Sequence, residues 1–321
     1  RRIEVSERIT AGGEVLTPLS QHEIERAVDC VRAADPQSCA VCFLFAFQNP
    51  EHERAITDAL RQSLPDIEVS ASSEVQPEFR EFERFSTTVL NAYLQPVMAQ
   101  YMTDLDSGLK SAAPNASFGL NQSSGGLMSV GRAQRLPVRT ALSGPAAGVV
   151  GAAHVATAAQ RSDAITLDMG GTSADVALIR QARVPTVFSR EVGGFPIRMP
   201  MVDVETVGAG GGSVAWIDRD GLLKVGPKSM GADPGPACYG LGGTQSTVTD
   251  ANLLLGRLGE DGLLGGTMKL DKAAADSAFD TLAQSLDVSR LRAAQGVIDI
   301  VVANMVRAIR TISVERGHDP R

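Results

Sequence analysis

Hydrophobic positions in the first part of the chain switch between helical spacing and short continuous runs. Ser20 and Glu23 form a capping box, which predicts a helix through about Ala33. The apolar run 39–47 then predicts a strand buried on both faces, and residues 49–51 predict the start of another helix. Helices that alternate with buried strands are typical of an α/β fold.

The longest helical pattern covers residues 78–110. Apolar side chains recur there at helical spacing, as they do in a helix with one face in the core. Pro96 lies inside the pattern, so we predict either one kinked helix or two collinear helices. We interpret the aromatic residues as core rather than as a cofactor pocket. The apolar positions are Phe79, Phe82, Val89, Tyr93, Val97, Tyr101, Leu105 and Leu109.

A second helical pattern, at 143–152, is rich in small residues. Ser143 can cap the helix and Pro145 can occupy its first turn. Its small side chains would allow another backbone to approach closely, which favours a helix packed between two lobes. A buried helix without a functional role is the alternative. The small residues are at 144, 147, 148 and 151. Helical patterns at 271–286 and 291–313 follow towards the end of the chain.

Residues 165–179 predict a strand, a tight glycine turn and a second strand. Gly170 and Gly171 can take the positive φ values that a sharp reversal needs, and they let an anionic group approach the backbone amides closely. Thr172 and Ser173 add hydroxyl donors. This pattern suits a phosphate-binding turn.

Asp168 ends the first of these two strands. A carboxylate there is placed to hold Mg²⁺, which prefers hard oxygen ligands and shares them with phosphate. Two interpretations remain open from the motif alone: a nucleotide phosphate loop, and an ordinary hairpin whose aspartate caps the turn.

A strand near residue 202 runs into a glycine-rich loop. Consecutive amides in such a loop are a common anion nest, although the loop lacks the lysine of a P-loop and the spacing of a dinucleotide fold. The amides would come from Gly210, Gly211, Gly212 and Ser213. We therefore predict a second anion-binding element here.

Asp203 and Glu205 stand two residues apart in this strand. Alternation along a strand predicts that they share one face, where they could reach a metal or a substrate amine. A solvated pair at the end of a strand is the alternative interpretation.

Composition narrows the class of protein. Hydrophobic residues make up 43% and charged residues 21% of 321 residues, and the formal net charge is −7. An acidic chain offers no basic stripe to nucleic acid, so we predict no nucleic-acid partner. Four cysteines without a secretory segment favour a cytoplasmic protein with reduced thiols. The apolar run 40–47 is too short to span a bilayer, so we predict no membrane partner.

The chain resembles the hydantoinase A / 5-oxoprolinase / acetone carboxylase family, in particular the bacterial hydantoinase A type. The resemblance covers nearly the whole chain. It rests on SGPAAGVVGA (143–152), LDMGGTSADV (167–176), ETVGAGGGSVAWID (205–218), VGPKSMGADPGPACYG (225–240) and TVTDANLLLGRL (247–258), with FLFAFQNPEHE (43–53) and EFERFSTTVLNAYLQP (81–96) before them.

The resemblance implies an actin-like ATPase fold of the ribonuclease H-like type, whose two lobes close on a nucleotide. Residues 1–140 would be the remainder of the N-terminal lobe with its long helix 78–110, and residues 141–321 the second lobe. The hairpin would be the second phosphate loop. Asp168 would hold Mg²⁺, and ATP phosphates would lie on the glycine turn, with the loop from Gly210 to Ser213 lining the same cleft. Asp203 and Glu205 would contact substrate or metal.

The implied activity is ATP-dependent hydrolysis of a cyclic amide. Hydantoin, N-methylhydantoin or 5-oxoproline would be opened after phosphorylation of the carbonyl oxygen. A hydantoinase B-type partner subunit is implied, and a homo-oligomer is a further expectation. An ATP-dependent ketone carboxylase subunit and a nucleotide-gated scaffold without catalysis are the alternatives.

Members of the family usually carry an earlier D-x-G-G-T-F-T-D loop and a later G-G-A-G-P segment. Neither is present in these 321 residues. We therefore expect a central fragment with incomplete lobes, which by itself binds ATP weakly or not at all.

Overall fold

Short strands and longer helices alternate along the chain in the computed structural model, which describes residues 1–259 and 262–320. The strands are β1 (Arg8–Ile9), β2 (Val15–Thr17), β3 (Ser38–Val41), β4 (Glu68–Ala71), β5 (Leu120–Asn121), β6 (Leu127–Met128), β7 (Ala164–Met169), β8 (Ala174–Ile179), β9 (Thr186–Val192), β10 (Phe195–Val202), β11 (Glu205–Val207), β12 (Ser213–Ile217) and β13 (Leu223–Ser229). The helices are α1 (Gln21–Ala34), α2 (Glu51–Ser63), α3 (Ser72–Val75), α4 (Glu81–Ala112), α5 (Val130–Arg135), α6 (Ser143–Ala158), α7 (Val248–Leu254), α8 (Lys272–Leu286) and α9 (Arg290–Ile312). This mixture, with helices of 32 and 23 residues, confirms the predicted α/β class with long helices.

The described strands form small sheets. Strands β11, β8 and β7 make a three-stranded antiparallel sheet in that order. Strands β3 and β4 pair in parallel, with α2 as the crossover between them. The other paired strands are antiparallel two-stranded ribbons. None of the helices in the described part of the chain combines the length and apolar character needed to cross a bilayer.

Two units divide the chain. The first contains Arg1–Val150 and Thr186–Val202, and the second contains Gly151–Pro185 and the chain from Asp203 onward. This division differs from the predicted boundary at 140/141, because it falls inside α6 and assigns the β9–β10 ribbon to the first unit. The backbone amide of Arg198 in β10 donates to the Thr87 hydroxyl of α4 at 2.9 Å, and its guanidinium pairs with Glu78 at 3.1 Å. Long-range bonds that sequence spacing does not reveal hold this ribbon in the first unit.

A buried clasp of charged residues organises the first unit. Glu53 of α2 and Arg84 of α4 are both 0% exposed. The Glu53 carboxylate accepts hydrogen bonds from the Phe43 amide (3.0 Å), the Ser72 hydroxyl (2.7 Å) and the Ser73 amide (2.6 Å). Arg84 donates to the carbonyl oxygen of Phe43 at 2.8 Å and to the Ser72 hydroxyl at 3.1 Å. The clasp therefore joins α2, α3, α4 and the chain after β3.

The same clasp corrects the prediction of a strand over 39–47. Strand β3 ends at Val41, and residues 44–48 form turns. Both backbone groups of Phe43 bond to the side chains of Glu53 and Arg84, so Phe43 cannot extend the ladder with β4. An apolar run alone does not show that side-chain partners replace strand partners.

Helix α4 runs unbroken through Pro96, so the single-helix alternative is the observed one. Most of the apolar positions predicted to face the core point outward instead, although Leu105 packs against a small buried cluster. Phe82, Tyr93 and Val97 are 73%, 75% and 73% exposed. The buried side is mostly polar, and its buried residues are Arg84, Thr87, Thr88, Asn91, Ala92, Gln95 and Met102. The interpretation of the aromatic stripe as core is therefore wrong.

Specific partners explain why the polar side of α4 faces inward. The Asn91 amide group donates to the Ser70 hydroxyl and to the Arg135 carbonyl oxygen, both at 3.0 Å, and accepts from the Val138 amide at 3.2 Å. Gln95 accepts from Ser70 as well. Buried polar groups are tolerated when they are hydrogen-bonded in this way. The spacing of the apolar residues therefore predicted the helix correctly but predicted the wrong side of it to be buried.

The predicted helix at 143–152 is present and longer, as α6. Its glycines do not pack against a neighbouring backbone. A methyl group placed on Gly144, Gly148 or Gly151 would meet no atom within 4 Å. The predicted packing of this helix between two lobes stays a prediction.

The second unit has one main apolar core. Helices α7, α8 and α9 pack together there with the β12–β13 ribbon. The predictions of helices at 271–286 and 291–313 are confirmed by α8 and α9, each of which shifts by a single residue at one or both ends. The three-stranded sheet lies against the end of α9, where Val176, Ala308 and Ile312 are buried together.

Candidate functional site

Strands β7 and β8 and the turn between them form the predicted hairpin. Its register pairs Met169 with Ala174 across the turn and Asp168 with Asp175 one step further back. The Gly170 amide donates to the Ser173 carbonyl oxygen at 2.9 Å, which closes the turn. The prediction of strand, glycine turn and strand is thus confirmed.

Three consecutive amides of this turn have no acceptor. Within the described residues, the N–H groups of Gly171, Thr172 and Ser173 make no hydrogen bond to the protein. Gly171 and Thr172 are also exposed. Successive amides that point outward from a turn are suited to bind an anion such as phosphate.

The glycine at 171 is not required by the conformation of the turn. Neither Gly170 nor Gly171 has a left-handed φ, so the predicted use of positive φ values is wrong. A Cβ on Gly171 would meet nothing within 4 Å, whereas one on Gly170 would only touch the Ser173 carbonyl oxygen at 3.5 Å. The bare backbone at 171 therefore leaves open space directly beside the free amides.

The glycine-rich loop supports this turn from the other side. The Gly211 amide donates to the Gly170 carbonyl oxygen at 3.0 Å, and the Gly212 amide donates to the Gly171 carbonyl oxygen at 2.6 Å. The Gly210 amide bonds to the Ser213 hydroxyl at 2.9 Å. These amides are already occupied, so the prediction that this loop forms a second anion nest is wrong.

The contact between loop and turn is close enough to require glycine at 210. A Cβ at that position would lie 2.5 Å from the backbone nitrogen of Thr172. The Gly211 carbonyl oxygen in turn accepts from the amide and the hydroxyl of Thr249, at 2.8 and 2.9 Å. Thr249 is in α7, so the turn, the loop and a core helix are directly connected.

Two carboxylates flank the free amides on one face of the sheet. Asp168 and Asp175 are direct cross-strand partners, which places their Cβ atoms about 4.5–5.5 Å apart. Thr206 in β11 is the next residue in this row, and its hydroxyl donates to Asp175 at 2.6 Å. Neither carboxylate forms an ion pair in the described part of the chain. Like charges directly opposite each other are destabilising unless a cation lies between them.

The donor set around these carboxylates fits Mg²⁺. The described residues contain no group of three or more histidine, cysteine, aspartate or glutamate side chains that could hold a metal. A cation at this site would therefore have two carboxylates at most, with phosphate and water completing its shell. Magnesium is commonly bound in this way, whereas zinc and calcium sites use more protein ligands.

The structure separates Glu205 from Asp168. Glu205 pairs with Val176, and neighbouring residues of a strand point to opposite faces. Glu205 therefore lies on the other face of the sheet from the row that contains Asp168, Asp175 and Thr206.

Asp203 precedes β11 and does not share a strand face with Glu205. Its buried carboxylate accepts a hydrogen bond from Arg316 and forms an ion pair with it. This bond, together with the charge of Glu205, raises the pKa of the Arg316 guanidinium. Of the three predicted catalytic carboxylates, only Asp168 lies beside the free amides.

Sequence reasoning assigns no role to Asp175 or Thr206. The position of Asp175 could have been found from the hairpin itself. A hairpin closed between residues 169 and 174 must also pair residue 168 with residue 175. Thr206 comes from a separate segment, and only the register of β11 shows that it belongs to this row.

The chain belongs to the hydantoinase/oxoprolinase family. The model of that family matches residues 84–321, and the model of the hydantoinase/oxoprolinase N-terminal region matches residues 1–64. The family resemblance of the sequence motifs is thereby confirmed.

Two proteins of known name are similar to this chain over nearly its whole length. The caprolactamase subunit alpha of Pseudomonas jessenii is 42% identical over 323 residues, which cover 100% of this chain and 46% of that protein. The 5-oxoprolinase of Saccharomyces cerevisiae is 35% identical over 322 residues, which cover 95% of this chain and 24% of that protein. The chain thus spans less than half the length of either relative.

Solved structures share the fold. A nucleotide-free structure of acetone carboxylase, from work on ATP-dependent acetone carboxylation, superposes with a TM-score of 0.85 at 29% identity, over 98% of this chain and 45% of that one. The crystal structure of the ATP-dependent caprolactamase from Pseudomonas jessenii superposes with a TM-score of 0.81 at 39% identity, over 98% of this chain and 46% of that one. The chain therefore has the fold of the matched parts of these two proteins.

Proposed function

We propose that this chain carries a phosphate-binding part of an ATP-dependent enzyme that opens cyclic amides. The observation that carries the proposal is the run of amides at 171–173, which have no acceptor in the described residues, beside the carboxylates of Asp168 and Asp175. Similarity to a caprolactamase subunit and to a 5-oxoprolinase supports cyclic amides as the substrate class, with lactams, hydantoins and 5-oxoproline as candidates.

Each residue of the site has a task in this proposal. The amides of Gly171, Thr172 and Ser173 donate to phosphate oxygens of ATP. Asp168 and Asp175 would hold Mg²⁺, and the bound ion would supply positive charge to neutralise the phosphates. Thr206 keeps the Asp175 carboxylate in position through its hydroxyl. Gly210, Gly211, Gly212 and Ser213 act as the support that fixes the turn. Asp203 and Glu205 have no assigned step.

An amide carbonyl is a poor electrophile, so the proposed reaction first activates it by phosphorylation. Transfer of the γ-phosphoryl group to the amide carbonyl oxygen releases ADP and makes the carbonyl carbon electrophilic. Water then adds at that carbon, the ring nitrogen takes up a proton and leaves, and the C–N bond opens to give an acyl phosphate. A second water hydrolyses the acyl phosphate to the carboxylic acid and free phosphate. Positioning and charge neutralisation provide most of the rate enhancement in phosphoryl transfer, and a rigid turn suits both tasks.

A partner subunit belongs to the proposal. The relatives include proteins named caprolactamase subunit alpha, acetophenone carboxylase gamma subunit and acetone carboxylase beta subunit. These names support an assembly in which a hydantoinase B-type subunit supplies part of the chemistry.

ATP-dependent carboxylation of a ketone is the second candidate function. The superposition on acetone carboxylase, with a TM-score of 0.85, favours it specifically. In this case the phosphorylated group would be an enolate oxygen rather than an amide oxygen.

One assay separates the candidates. The complete protein with its partner subunit is incubated with ATP and Mg²⁺, and ADP and organic products are measured. ADP formation that requires a cyclic amide and yields the ring-opened acid supports hydrolysis. ADP formation that requires both a ketone and bicarbonate supports carboxylation instead. ATP turnover independent of either substrate contradicts both candidates and favours a nucleotide-gated scaffold.

Gly171→Ala is expected to weaken ATP binding while the protein stays as stable as before. A methyl group at 171 occupies open space in the protein, but it stands where phosphate approaches the amides. Loss of one charge-assisted hydrogen bond, about 1.5–3 kcal/mol, corresponds to a rise in Kd on the order of ten- to a hundredfold. Calorimetric titration of the complete protein with ATP measures the Kd, and thermal unfolding measures stability.

Gly210→Ala is the matched control. Its methyl group would overlap the Thr172 backbone, so we expect it to lower stability, by about 1–3 kcal/mol, as well as ATP affinity. If Gly171→Ala lowered stability as much as Gly210→Ala, glycine at 171 would serve the fold and the phosphate-binding role would be contradicted.

A further inference from the structure

Arg139 of the first unit has a guanidinium group without a partner. The residue lies in the short 3₁₀ helix Pro137–Thr140, between α5 and α6. Its side chain is partly buried and makes no hydrogen bond or ion pair with the described residues. The Nε atom is fully buried and lacks an acceptor there, whereas the two Nη groups keep contact with solvent. Burial of a polar group that is not hydrogen-bonded is costly, so this arrangement needs an explanation.

Two other partly buried arginines of the first unit have a carboxylate beside them. Arg26 pairs with Glu23 at 2.8 Å, and Arg198 pairs with Glu78 at 3.1 Å. Pairing of this kind offsets the cost of removing a cation from water. Arg139 differs from both because the described residues supply no such carboxylate.

The charged group nearest in effect to Arg139 is another cation. Burial, followed by the charge of nearby Arg132 in α5, lowers the pKa of the Arg139 guanidinium. Arg132 is exposed and has no ion pair in the described part of the chain. The two arginines therefore form a small region of positive charge without a counter-charge, in a chain whose net charge is −7.

The backbone that carries Arg139 is firmly held. Its carbonyl oxygen accepts from the Ser123 amide at 2.8 Å and from the Ser123 hydroxyl at 2.7 Å. The amide of the preceding residue, Val138, donates to the Asn91 side chain at 3.2 Å, and Val138 is buried. The main chain at Arg139 is thus fixed, so the unpaired guanidinium does not belong to a loose loop that could move it into water.

The missing counter-charge matches a phosphate group. One carboxylate would neutralise only one of the two cations, whereas a phosphate carries a charge near −2 and has several acceptor oxygens. The planar guanidinium also fits two phosphate oxygens at once, through charge-assisted hydrogen bonds. Because the Nη groups of Arg139 and the whole of Arg132 are accessible, such a ligand can approach from solvent.

We propose that Arg139 and Arg132 bind a phosphate group, either of inorganic phosphate or of a small phosphorylated molecule. Both arginines belong to the first unit, whereas the amides of 171–173 belong to the second, so this would be an additional anion site. The proposal does not depend on which reaction the protein catalyses.

Labelling of the full-length protein with phenylglyoxal tests the site. This reagent attacks unprotonated guanidinium groups, and the labelled peptides are quantified by mass spectrometry. Millimolar phosphate should slow the labelling of Arg139 by about fivefold or more, because a bound anion covers the guanidinium and favours its protonated form. Exposed Arg54 of α2 is the control and should react at the same rate with and without phosphate.

ATP and acetate are the other two ligands of this experiment. Protection of Arg139 by inorganic phosphate alone supports a site for free phosphate, and stronger protection by ATP supports a site for a nucleotide phosphate. Equal protection by acetate at the same ionic strength would overturn the proposal, since any anion would then suffice. Absence of protection would also overturn it. So would an Arg139 that does not react without ligand, because another part of the full-length protein would then cover the guanidinium.

Thermal unfolding of Arg139→Met separates ligand binding from a role in the fold. Methionine keeps most of the aliphatic stem and removes the charge, so the melting temperature without phosphate should be at least that of the wild type. Phosphate should raise the melting temperature of the wild type and of Arg54→Met more than that of Arg139→Met. A large fall in melting temperature, or an equal response to phosphate, would show that Arg139 serves the fold instead.

Discussion

Replacing Asp168 by asparagine is expected to reduce ATP-dependent turnover by on the order of a thousandfold or more. The substitution keeps the shape of the side chain and removes the charge that would hold Mg²⁺ beside the phosphates. The Asp168 side chain is exposed and has no hydrogen bond or ion pair in the described residues, so the folded protein loses no side-chain contact. Steady-state rates of ADP release by the complete enzyme measure the effect.

Stability should even rise slightly in this variant, because Asp168 faces Asp175 and the substitution removes a like-charge pair. Asp220→Asn, in the exposed turn between β12 and β13, is the control and should change neither rate nor stability. Asp175→Asn should also lower turnover, with a smaller loss if Asp168 alone binds the metal directly. Near-normal turnover in Asp168→Asn would contradict the proposal that this residue holds the metal ion.

Replacing Glu53 by glutamine is expected to lower the free energy of unfolding of the first unit by about 3–5 kcal/mol. The carboxylate accepts three hydrogen bonds, two from backbone amides. A glutamine must turn its NH₂ group towards at least one of these donors. The substitution also removes a negative charge from the buried surroundings of Arg84, whose ion-pair partner among the described residues is Glu81 at 3.6 Å.

Hydrogen exchange followed by mass spectrometry locates this effect, because it reports on peptides of each unit separately. Peptides from β3, β4 and α4 should exchange faster in Glu53→Gln, while those from α8 and α9 should keep their rates. Glu51→Gln, at the exposed start of the same helix, is the matched control. Unchanged exchange in the first unit would mean that the clasp contributes little to stability.

Local chemistry explains which parts of the fold could be predicted. The hairpin at Asp168 combines alternating strands with a glycine turn, and both signals lie within a few residues. Ser20 caps α1 through the Glu23 amide as predicted, since a capping residue acts on its own helix. The long helices α8 and α9 follow from sustained periodicity. These elements were predicted correctly because the residues that specify each of them are neighbours in sequence.

Partners that are distant in sequence explain the errors. The apolar side of α4 faces outward because Arg84, Asn91 and Gln95 find buried partners from other segments. Glu205 lies on the opposite face from Asp168 because of the register of β11, which no local pattern fixes. The amides of the glycine-rich loop are occupied because the loop folds onto the hairpin. The sequence shows that the loop is rich in glycine, but it does not show which segment of the chain contacts the loop.

The support of the hairpin by this loop has a consequence for binding. The Gly170 and Gly171 carbonyl oxygens are held by Gly211 and Gly212, and Gly211 is held in turn by Thr249 of α7. A peptide plane whose oxygen is fixed cannot rotate freely, so the N–H groups that follow these carbonyls keep their direction before any ligand arrives. The entropy of ordering the turn is lost during folding, so in the proposed function an incoming phosphate would meet a preorganised surface that needs no rearrangement.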